Sequence, residues 1–312
     1  MPAHVGFDSS SGGRRGLVLR LGALGDTLLL EPALAALRGI RPRIDWELIG
    51  TMPYAELLGR HLVGLHDGGA ARFAPLFAAP RLESEPIRFL TRFERAVVFS
   101  ANSDLRRHLA EHIATTLCAA PLPEREDSRD VVDYLLDCLE PWIGDPAGAR
   151  RVPSLPLPAA DGGSGAAIVL APGAGAAAKR WPIDRWAALG RSFGRDLPAE
   201  RRALLLGPAE SDLRDPLADL ARALGAEVWD HLPLPTLAQR LAAARLYIGN
   251  DSGPTHLAAA VGCPTLAVFG PASERRWEPR GPRVVTLHAS EAQEWASSSR
   301  AIAAARRLWA GR

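Results

Sequence analysis

The chain has 312 residues. A single hydrophobic core usually serves a shorter chain than this, so the length predicts two domains of about 150 residues each. Hydrophobic residues make up 47% of the sequence and charged residues 23%, which is typical of an ordinary globular protein. The 37 basic and 35 acidic side chains leave a formal net charge of +2. This balance excludes a nucleic-acid binder that relies on bulk electrostatics, so we expect no nucleic-acid partner.

Cysteine usage and hydropathy narrow the class further. The three cysteines, Cys118, Cys138 and Cys263, are widely spaced and form neither a CxxC pair nor a zinc pattern. We therefore expect no disulfide framework, no structural metal and a reducing compartment. No stretch of the sequence approaches about 18 uninterrupted apolar residues. This pattern predicts a cytoplasmic protein without a transmembrane helix, and contact with a membrane surface is left open.

The first half of the chain alternates short apolar runs with helical patterns. Leu30, Leu34 and Leu37 share one face of a predicted helix. Predicted strands cover residues 16–21, 44–49 and 96–100, and predicted helices cover about 27–38, 104–118 and 131–139. Strands that alternate with helices indicate parallel sheets with crossover helices.

A proline-rich stretch divides the chain. Five prolines between residues 141 and 158 lead into a Gly/Ser-rich stretch at 161–165. Such a sequence continues neither a helix nor a central strand, so we place the domain boundary near residue 160. The predicted domains are residues 1–160 and 161–312.

The same alternation continues in the second half. Trp295, Ile302 and Trp309 predict a terminal amphipathic helix, and whether it crosses back to the first domain is left open. Predicted strands cover residues 166–171, 203–206, 227–229, 246–248 and 265–269, with a helix at about 183–193. The fold class predicted for both halves is α/β.

A turn of sequence LGALGDT, residues 21–27, joins the first predicted strand to the first predicted helix. Its glycines let backbone approach a ligand, and the helix N-terminus behind them favours an anion. It matches neither a dinucleotide fingerprint nor a Walker A loop. Asp26 lies at the carboxyl end of the strand, where open α/β sheets place their sites. Two interpretations stay open: Asp26 is functional, or it only caps the helix.

A second turn, APGAGAAAKRWP at residues 171–182, follows the first strand of the second half. Its small residues leave room to wrap a phosphate, and Lys179 supplies a neutralising charge. The alternative is a surface loop whose Lys179 and Arg180 are only solvated. Glu210, after the strand that ends at Gly207, is a candidate acceptor for ribose hydroxyls, or else a solvated acid.

The most informative segment is YIGNDSGPTHLAAA, residues 247–260. It has the pattern of a strand, a polar turn and a helix, with Gly253 near the N-cap and Pro254 in the first turn. Free backbone N–H groups, Ser252 and Thr255 would converge on a diphosphate, helped by the helix dipole. His256 is a candidate donor to a phosphate or sugar oxygen; the alternative is a core histidine hydrogen-bonded to backbone.

These three segments, in this order and spacing, resemble glycosyltransferase family nine, the ADP-heptose:lipopolysaccharide heptosyltransferases. The resemblance spans about residues 16–280 and rests on LGALGDTLLLEPALAALR, LAPGAGAAAKRWPIDRWAAL and IGNDSGPTHLAAAVGCPTLAVFGP. It implies a GT-B fold, in which two Rossmann-like parallel-sheet domains face a central cleft. The N-terminal domain would bind the acceptor and the C-terminal domain the nucleotide sugar. It further implies inverting transfer that needs neither a metal nor a cofactor.

The resemblance also assigns residues. It implies that Asp26 is the catalytic base and that Lys179 contacts the leaving phosphate. The implied donor-binding residues are Gly25, Lys179, Glu210, Asp251, Ser252, Gly253, Pro254, Thr255 and His256. The implied partners are ADP-heptose, or another nucleotide-diphosphate sugar, and a glycan acceptor such as the lipopolysaccharide inner core. A lipid-linked acceptor would place the protein peripherally at the inner membrane.

The chain departs from the family pattern at two places. Ala174 and Gly175 stand where hydroxyl residues are common, so only backbone groups there would contact phosphate. The turn ANSDLRR at residues 101–107 replaces a Gln-Gly-like turn that faces the acceptor. Asn102, Arg106 and Arg107 are therefore the acceptor-binding candidates, with solvated arginines as the alternative.

Two other functions remain open besides heptosyl transfer. One is a GT-B enzyme that uses another nucleotide sugar or another acceptor, because a fold does not fix a function. The other is a non-catalytic nucleotide-sugar-binding protein. Asp26 disfavours the second, because a pure binder needs no base.

Overall fold

The computed structural model confirms the predicted α/β fold. It describes residues 14–124, 126–157, 167–193, 202–207, 213–290 and 294–311. Within these ranges the chain forms two parallel sheets, one from each half. Residues 158–166, which contain the predicted domain boundary, lie outside the described residues.

The first sheet has the strand order β3-β2-β1-β4-β5, and all neighbours are parallel. Leu17, Val18 and Leu19 of the central strand β1 are inaccessible to solvent, as a strand covered on both faces requires. The strands are β1 (Arg14–Leu19), β2 (Ile44–Gly50), β3 (Gly64–Asp67), β4 (Arg95–Phe99) and β5 (Thr115–Ala119).

The second sheet has the order β11-β10-β9-β6-β7-β8. Its strands are β6 (Ile168–Ala171), β7 (Arg202–Leu206), β8 (Glu227–Asp230), β9 (Leu246–Asn250), β10 (Thr265–Phe269) and β11 (Val284–His288). Counted within each half, both sheets follow the doubly wound order 3-2-1-4-5, and the second adds a sixth strand. The order therefore reverses between β1 and β4 and again between β6 and β9.

Helices cover the faces of both sheets. They are α1 (Leu24–Leu29), α2 (Glu31–Arg38), α3 (Ala74–Ala78), α4 (Ser84–Leu90), α5 (Ser103–His112), α6 (Val131–Asp137), α7 (Glu140–Ile143), α8 (Ile183–Ser192), α9 (Arg214–Leu224), α10 (Leu234–Ala243), α11 (Gly253–Ala260) and α12 (Ser298–Ala310). Short 3-10 helices are Tyr54–His61, Ala71–Phe73, Pro146–Gly148, Ala177–Lys179 and Arg275–Trp277.

Two predicted helices were wrong in extent. The helix predicted at 27–38 is divided at Leu30 into α1 and α2, and Pro32 lies in the first turn of α2, where its missing N–H costs no hydrogen bond. The helix predicted at 104–118 ends at His112, and Cys118 lies in β5. Ile113 adopts extended backbone with φ −122° and ψ 122°, and the β-branched residues Thr115 and Thr116 favour the strand that follows.

One hydrophobic core joins the two halves. Val18 and Leu28 of the first half belong to the same buried cluster as Leu257 and Ala258 of the second. α1 packs directly against α11. The two domains are therefore in close contact along these helices, and this contact brings their loops together.

The terminal helix α12 packs on the second domain. Ala301, Ala304 and Ala305 are buried in the cluster that contains the residues of β9 and β10, and the helix also contacts α8. Among the described residues, none of the helices combines the length and apolar character that a bilayer crossing requires. Cys118, Cys138 and Cys263 are all free thiols.

A buried carboxylate holds the segment after α7 against the first domain. Glu31 of α2 is inaccessible to solvent, and its Oε1 lies 2.5 Å from Arg60 Nη2, 2.7 Å from His61 Nε2 and 2.7 Å from Arg150 Nη2. Its Oε2 accepts a 3.0 Å hydrogen bond from the Ser154 N–H. Burial by itself raises the pKa of Glu31, but the hydrogen bonds with His61, Arg150 and Arg60 outweigh it and lower the pKa to about 2.

Candidate active site

Three loops lie at the carboxyl edges of the two sheets, next to the points where strand order reverses. Residues 20–23 follow β1, residues 172–182 follow β6, and residues 251–252 follow β9. Open α/β sheets form their ligand sites at such points. Because α1 starts after the first loop and packs against α11, which starts after the third, the loops of the two domains face each other.

Asp26 lies in the first turn of α1 with its side chain 25% exposed. Its Oδ2 accepts a 3.0 Å hydrogen bond from the Ala23 N–H, and its Oδ1 lies 3.4 Å from Arg20 Nη2. The carboxylate therefore caps the helix and is also partly open to solvent. The capping and functional interpretations of Asp26 are geometrically compatible.

Arg20 is a residue that the sequence reasoning missed. Its side chain is 2% exposed, and its Nη1 donates a 2.6 Å hydrogen bond to the Pro121 carbonyl. Burial lowers the pKa of Arg20, although the charge of Asp26 acts in the opposite direction. The signal in the sequence was an arginine at the end of an apolar strand, because a buried charge needs a partner of opposite charge. In the structure Asp26 is that partner.

Lys179 and Asp251 form an ion pair that links two loops of the second domain. Lys179 Nζ lies 2.7 Å from Asp251 Oδ2, with the two side chains 32% and 6% exposed. The contact lacks the alignment of a hydrogen bond, since Asp251 Oδ2 has no hydrogen-bond partner among the described residues. Lys179 thus keeps a partly exposed positive charge within electrostatic reach of His256, while a buried carboxylate holds its position.

His256 lies in α11, 6% exposed, within electrostatic reach of Asp251, Asp26 and Lys179. Burial lowers its pKa to about 4, more than the two carboxylates raise it, and Lys179 lowers it further. The imidazole is therefore neutral at pH 7. Its Nδ1 has no hydrogen-bond partner within the described part of the chain, so the expected alternative of a core histidine bonded to backbone through this atom does not hold.

Asn250, the last residue of β9, joins two of the loops and was also missed as a site residue. Its Nδ2 donates a 2.7 Å hydrogen bond to the Pro172 carbonyl, and its Oδ1 accepts a 3.2 Å hydrogen bond from the Trp181 N–H. Both ends of the loop at 172–182 are thereby fixed to β9. The signal in the sequence was a polar side chain at the end of an otherwise apolar strand.

Ser252 in the third loop and Thr255 in α11 differ in accessibility. Thr255 is fully buried, and its Oγ1 donates a 2.5 Å hydrogen bond to the Asn250 carbonyl and lies 3.1 Å from the Tyr247 hydroxyl. Its hydroxyl is therefore engaged inside the protein. Ser252 is the N-cap of α11 and lines the cavity, and Gly253 directly follows it, near the N-cap as predicted.

Glycines allow α1 and α11 to approach each other. A Cβ on Gly25 would lie 3.0 Å from His256 Cδ2, and a Cβ on Gly253 would lie 2.8 Å from the Leu24 Cβ. Both distances are shorter than an ordinary van der Waals contact. Gly25 thus places the turn before Asp26 directly beside His256.

A cavity of about 480 Å³ opens beside these residues, between the two domains. This volume is in the range of small-molecule sites. The first domain contributes Ala23, Leu24, Pro53 and Tyr54, and the second contributes mainly apolar residues together with Ser252, Gly253 and Pro254. Gly173, Ala174, Gly175, Leu206, His231, Leu234 and Leu237 are among the remaining lining residues.

The predicted acceptor residues have partners inside the protein. Asn102 caps α5 by accepting from the Leu105 N–H, and its Nδ2 donates to the Phe77 carbonyl. Arg106 Nε donates a 2.5 Å hydrogen bond to the Ser100 carbonyl. Arg107 pairs with the neighbouring helix residues Asp104 and Glu111. Each of the three side chains therefore has contacts within the first domain, and their role in acceptor binding stays a prediction.

Two further expectations concern a ribose-binding acid and a metal site. Glu210, the predicted ribose-binding acid, lies outside the described residues. Within the described ranges, no three histidine, cysteine, aspartate or glutamate side chains are grouped so as to hold a metal ion.

Sequence comparison supports the resemblance predicted from the second and third segments. Residues 155–303 match the family model of glycosyltransferase family 9 (heptosyltransferase). Lipooligosaccharide heptosyltransferase 2 of Campylobacter jejuni is 31% identical over 128 residues, which are 38% of this chain and 39% of the relative. A putative glycosyltransferase of Haemophilus influenzae is 38% identical over 81 residues, 24% of this chain and 23% of the relative. The chain thus spans about two fifths of the length of the first of these relatives.

Solved structures extend the likeness to the whole fold. A family 9 glycosyl transferase from Veillonella parvula superposes with a TM-score of 0.73 at 19% identity, covering 95% of this chain and 97% of that one. The E. coli ADP-heptose lps heptosyltransferase II gives a TM-score of 0.72 at 18% identity, with 95% and 98% covered. The fold of this chain is therefore that of the GT-B class of proteins. Within that class, the predicted resemblance to glycosyltransferase family 9, the heptosyltransferases, is confirmed over residues 155–303.

Proposed function

We propose that the protein is a metal-independent, inverting glycosyltransferase that moves heptose from ADP-heptose to a sugar hydroxyl of a glycan acceptor. The observation that carries the proposal is the convergence of Asp26 from the first domain with Lys179, Asp251 and His256 from the second. The cavity between the domains is large enough for a nucleotide, and its apolar walls suit a base and a ribose.

In the proposed reaction, the Asp26 carboxylate takes the proton of the acceptor hydroxyl as that oxygen attacks the anomeric carbon. The bond between the anomeric carbon and the phosphate oxygen breaks, and its electron pair leaves with ADP. Attack from the face opposite the leaving group inverts the anomeric centre. Arg20 positions Asp26 from behind, through the 3.4 Å contact with Oδ1.

The leaving diphosphate gains negative charge in the transition state. Lys179 and the N-terminus of α11 are placed to stabilise that charge, at about 3–4 kcal/mol per well-aimed donor. Lys179 Nζ would contact the phosphate while it keeps its ion pair with Asp251 Oδ2. His256, neutral at pH 7, is available as a donor to a phosphate or sugar oxygen without adding charge.

The proposal includes the acceptor and the place of action. A lipopolysaccharide inner-core glycan is the acceptor that the relatives support, since the C. jejuni protein is a lipooligosaccharide heptosyltransferase. With such a lipid-linked acceptor, the enzyme would act in the cytoplasm at the inner face of the membrane. A different nucleotide sugar is the second candidate donor, because Ala174 is buried and Gly175 carries no side chain to contact phosphate.

Thermal-shift screening with ADP-heptose, ADP, UDP-sugars and GDP-sugars tests the donor. A ligand at 100 times its Kd stabilises the folded state by about 2.7 kcal/mol, so ADP and ADP-heptose should raise the Tm. Lys179→Gln should remove most of the shift, while Arg191→Gln, an exposed charge on α8, should retain it. A shift with UDP-sugars and none with ADP would contradict the heptosyltransferase proposal.

A further inference from the structure

A second cavity of about 480 Å³ lies at the opposite edge of the first sheet from the candidate active site. It opens where α2 ends, where the 3-10 helix Tyr54–His61 ends and where β2 begins. Four arginines line it, namely Arg38, Arg41, Arg43 and Arg60. Among the described residues of its lining, Asp45 is the one acid. We refer to it as the basic cavity.

Two of these arginines have their charges compensated. Arg43 Nε lies 3.6 Å from Asp45 Oδ1, and Arg60 Nη2 lies 2.5 Å from the buried Glu31 Oε1. The other two donate only to backbone within the described chain: Arg38 Nη1 to the Arg60 carbonyl at 3.0 Å, and Arg41 Nη1 to the Gly39 and Ile40 carbonyls at 3.2 Å each. The basic cavity therefore carries two guanidinium charges without a carboxylate partner.

The backbone contacts also orient the two guanidinium groups. Each uses Nη1, so the Nε and Nη2 donors remain for a ligand. The lining includes the buried side chains of Ile44 and Trp46, which are 4% and 1% exposed. Arg38 and Arg41 are exposed, so both guanidinium groups are accessible to a ligand from solvent. Solvated arginines on a convex surface would not show this concavity.

We propose that the basic cavity binds phosphate groups, as a phosphomonoester or a pyrophosphate. A phosphomonoester carries a charge of about −1.5 to −2 at pH 7, which matches the two uncompensated guanidinium groups. The planar fork of arginine donates two parallel hydrogen bonds to phosphate oxygens. The ligand is either a soluble phosphorylated molecule or the phosphate headgroup of a lipid, since both present the same chemistry.

Arginine modification resolved by residue tests the site in the full chain. Phenylglyoxal is added with and without pyrophosphate, and modified peptides are quantified by mass spectrometry. Pyrophosphate at about ten times its Kd should slow modification of Arg38 and Arg41 about tenfold. Arg222 and Arg307, exposed on α9 and α12, should react at an unchanged rate. Because the readout is specific to these residues, pyrophosphate bound at the candidate active site does not affect it.

A second arm identifies the source of the phosphate. Phosphatidylcholine vesicles with and without phosphatidic acid replace pyrophosphate. Protection by pyrophosphate supports a soluble ligand, and protection by phosphatidic acid alone supports a lipid headgroup. Protection in neither arm, or equal protection of Arg222 and Arg307, would overturn the proposal.

Double variants test the same site independently, through the affinity for the protecting probe. R38Q/R41Q should weaken binding of the protecting probe about tenfold or more, whereas R222Q/R307Q, with the same change in charge, should not. Unchanged affinity in a folded R38Q/R41Q protein would overturn the proposal. If R38Q/R41Q does not fold, the protection of the unmodified chain decides the question.

Discussion

Asp26 caps α1 through Oδ2 and is 25% exposed, so a useful substitution must keep the cap and remove the ability of the side chain to take a proton. Asp26→Asn does so, because the asparagine carbonyl still accepts the Ala23 N–H while the side chain no longer takes a proton. We expect transfer to fall by about 10²- to 10⁴-fold and ADP affinity to stay unchanged. Rate assays and calorimetry measure the two effects separately.

Asp184→Asn is the matched control for this prediction. Asp184 also lies in the first turn of a helix, α8, and is exposed. Its substitution should leave transfer unchanged. Transfer within a few-fold of the unmodified protein for Asp26→Asn would assign Asp26 to capping alone.

The buried His256 makes stability depend on pH. Its pKa is about 4 in the folded protein, against 6.5 for an unperturbed histidine. Between these values the unfolded chain binds a proton that the folded chain does not, so stability falls as the pH drops through this window. Relative to His256→Gln, the unmodified protein should lose about 2–3 kcal/mol more between about pH 7 and about pH 4.5.

Urea unfolding at the two pH values measures this difference. His112→Gln, at the end of α5, should keep the pH dependence of the unmodified protein. An identical loss of stability in His256→Gln and the unmodified protein would show that His256 is protonated, or accessible, in the folded state.

At the scale of elements, the contact between α1 and α11 is sensitive to one methyl group. Gly253→Ala places a Cβ 2.8 Å from the Leu24 Cβ, and the two helices must separate to accept it. We expect a loss of about 1–3 kcal/mol of stability together with weaker nucleotide binding, measured by urea unfolding and by calorimetry.

Gly175→Ala is the control for this contact. Gly175 lines the same cavity, but a Cβ there meets no atom within 4 Å, so its substitution should change stability by less than about 0.5 kcal/mol. Equal stability of the two variants would show that the helices adjust without cost.

The sequence predicted the strands near the site well, because β1, β6, β9 and β10 are short apolar runs bounded by turn residues. It failed for β5, an edge strand whose residues are partly or fully exposed. There the apolar pattern carries little information, since only the pairing with β4 fixes the strand. The division between α1 and α2 at Leu30 was missed because Leu30, Leu34 and Leu37, which are all buried, keep the apolar spacing of a single helix across it.

The candidate site was predicted only where side chains carry a recognisable motif. Asp26, Lys179 and His256 belong to such motifs, and the structure brings them together. The cavity beside them also depends on Tyr54 and Leu234, apolar residues that come from distant segments. Their place in the cleft follows from the packing of two domains, which no local pattern encodes.

At the scale of the whole molecule, Arg280 connects the two halves. It contacts Asp133 Oδ2 at 2.7 Å and Asp130 Oδ2 at 3.2 Å, on and next to α6, and α6 packs on α2 of the first domain. Arg280→Gln should loosen this contact and widen the average separation of the domains. Small-angle scattering should show a larger radius of gyration, and the acceptor KM should rise more than kcat falls.

Arg240→Gln serves as the comparison for Arg280. Arg240 pairs with Glu227 within the second domain, so its substitution removes a surface ion pair without touching the contact between domains. An Arg280→Gln protein with the dimensions of the unmodified protein would show that the hydrophobic core alone holds the two domains together.

The close approach of Gly25 to His256 and of Gly253 to Leu24 has a consequence for protein engineering. Donor specificity in a two-domain transferase invites the construction of chimeras, in which the second domain is taken from a relative with another substrate. Here α1 of one domain and α11 of the other pack so closely that their glycines leave no room for a Cβ. A working chimera therefore has to exchange α1 and α11 as a pair, even though more than two hundred residues of sequence separate them.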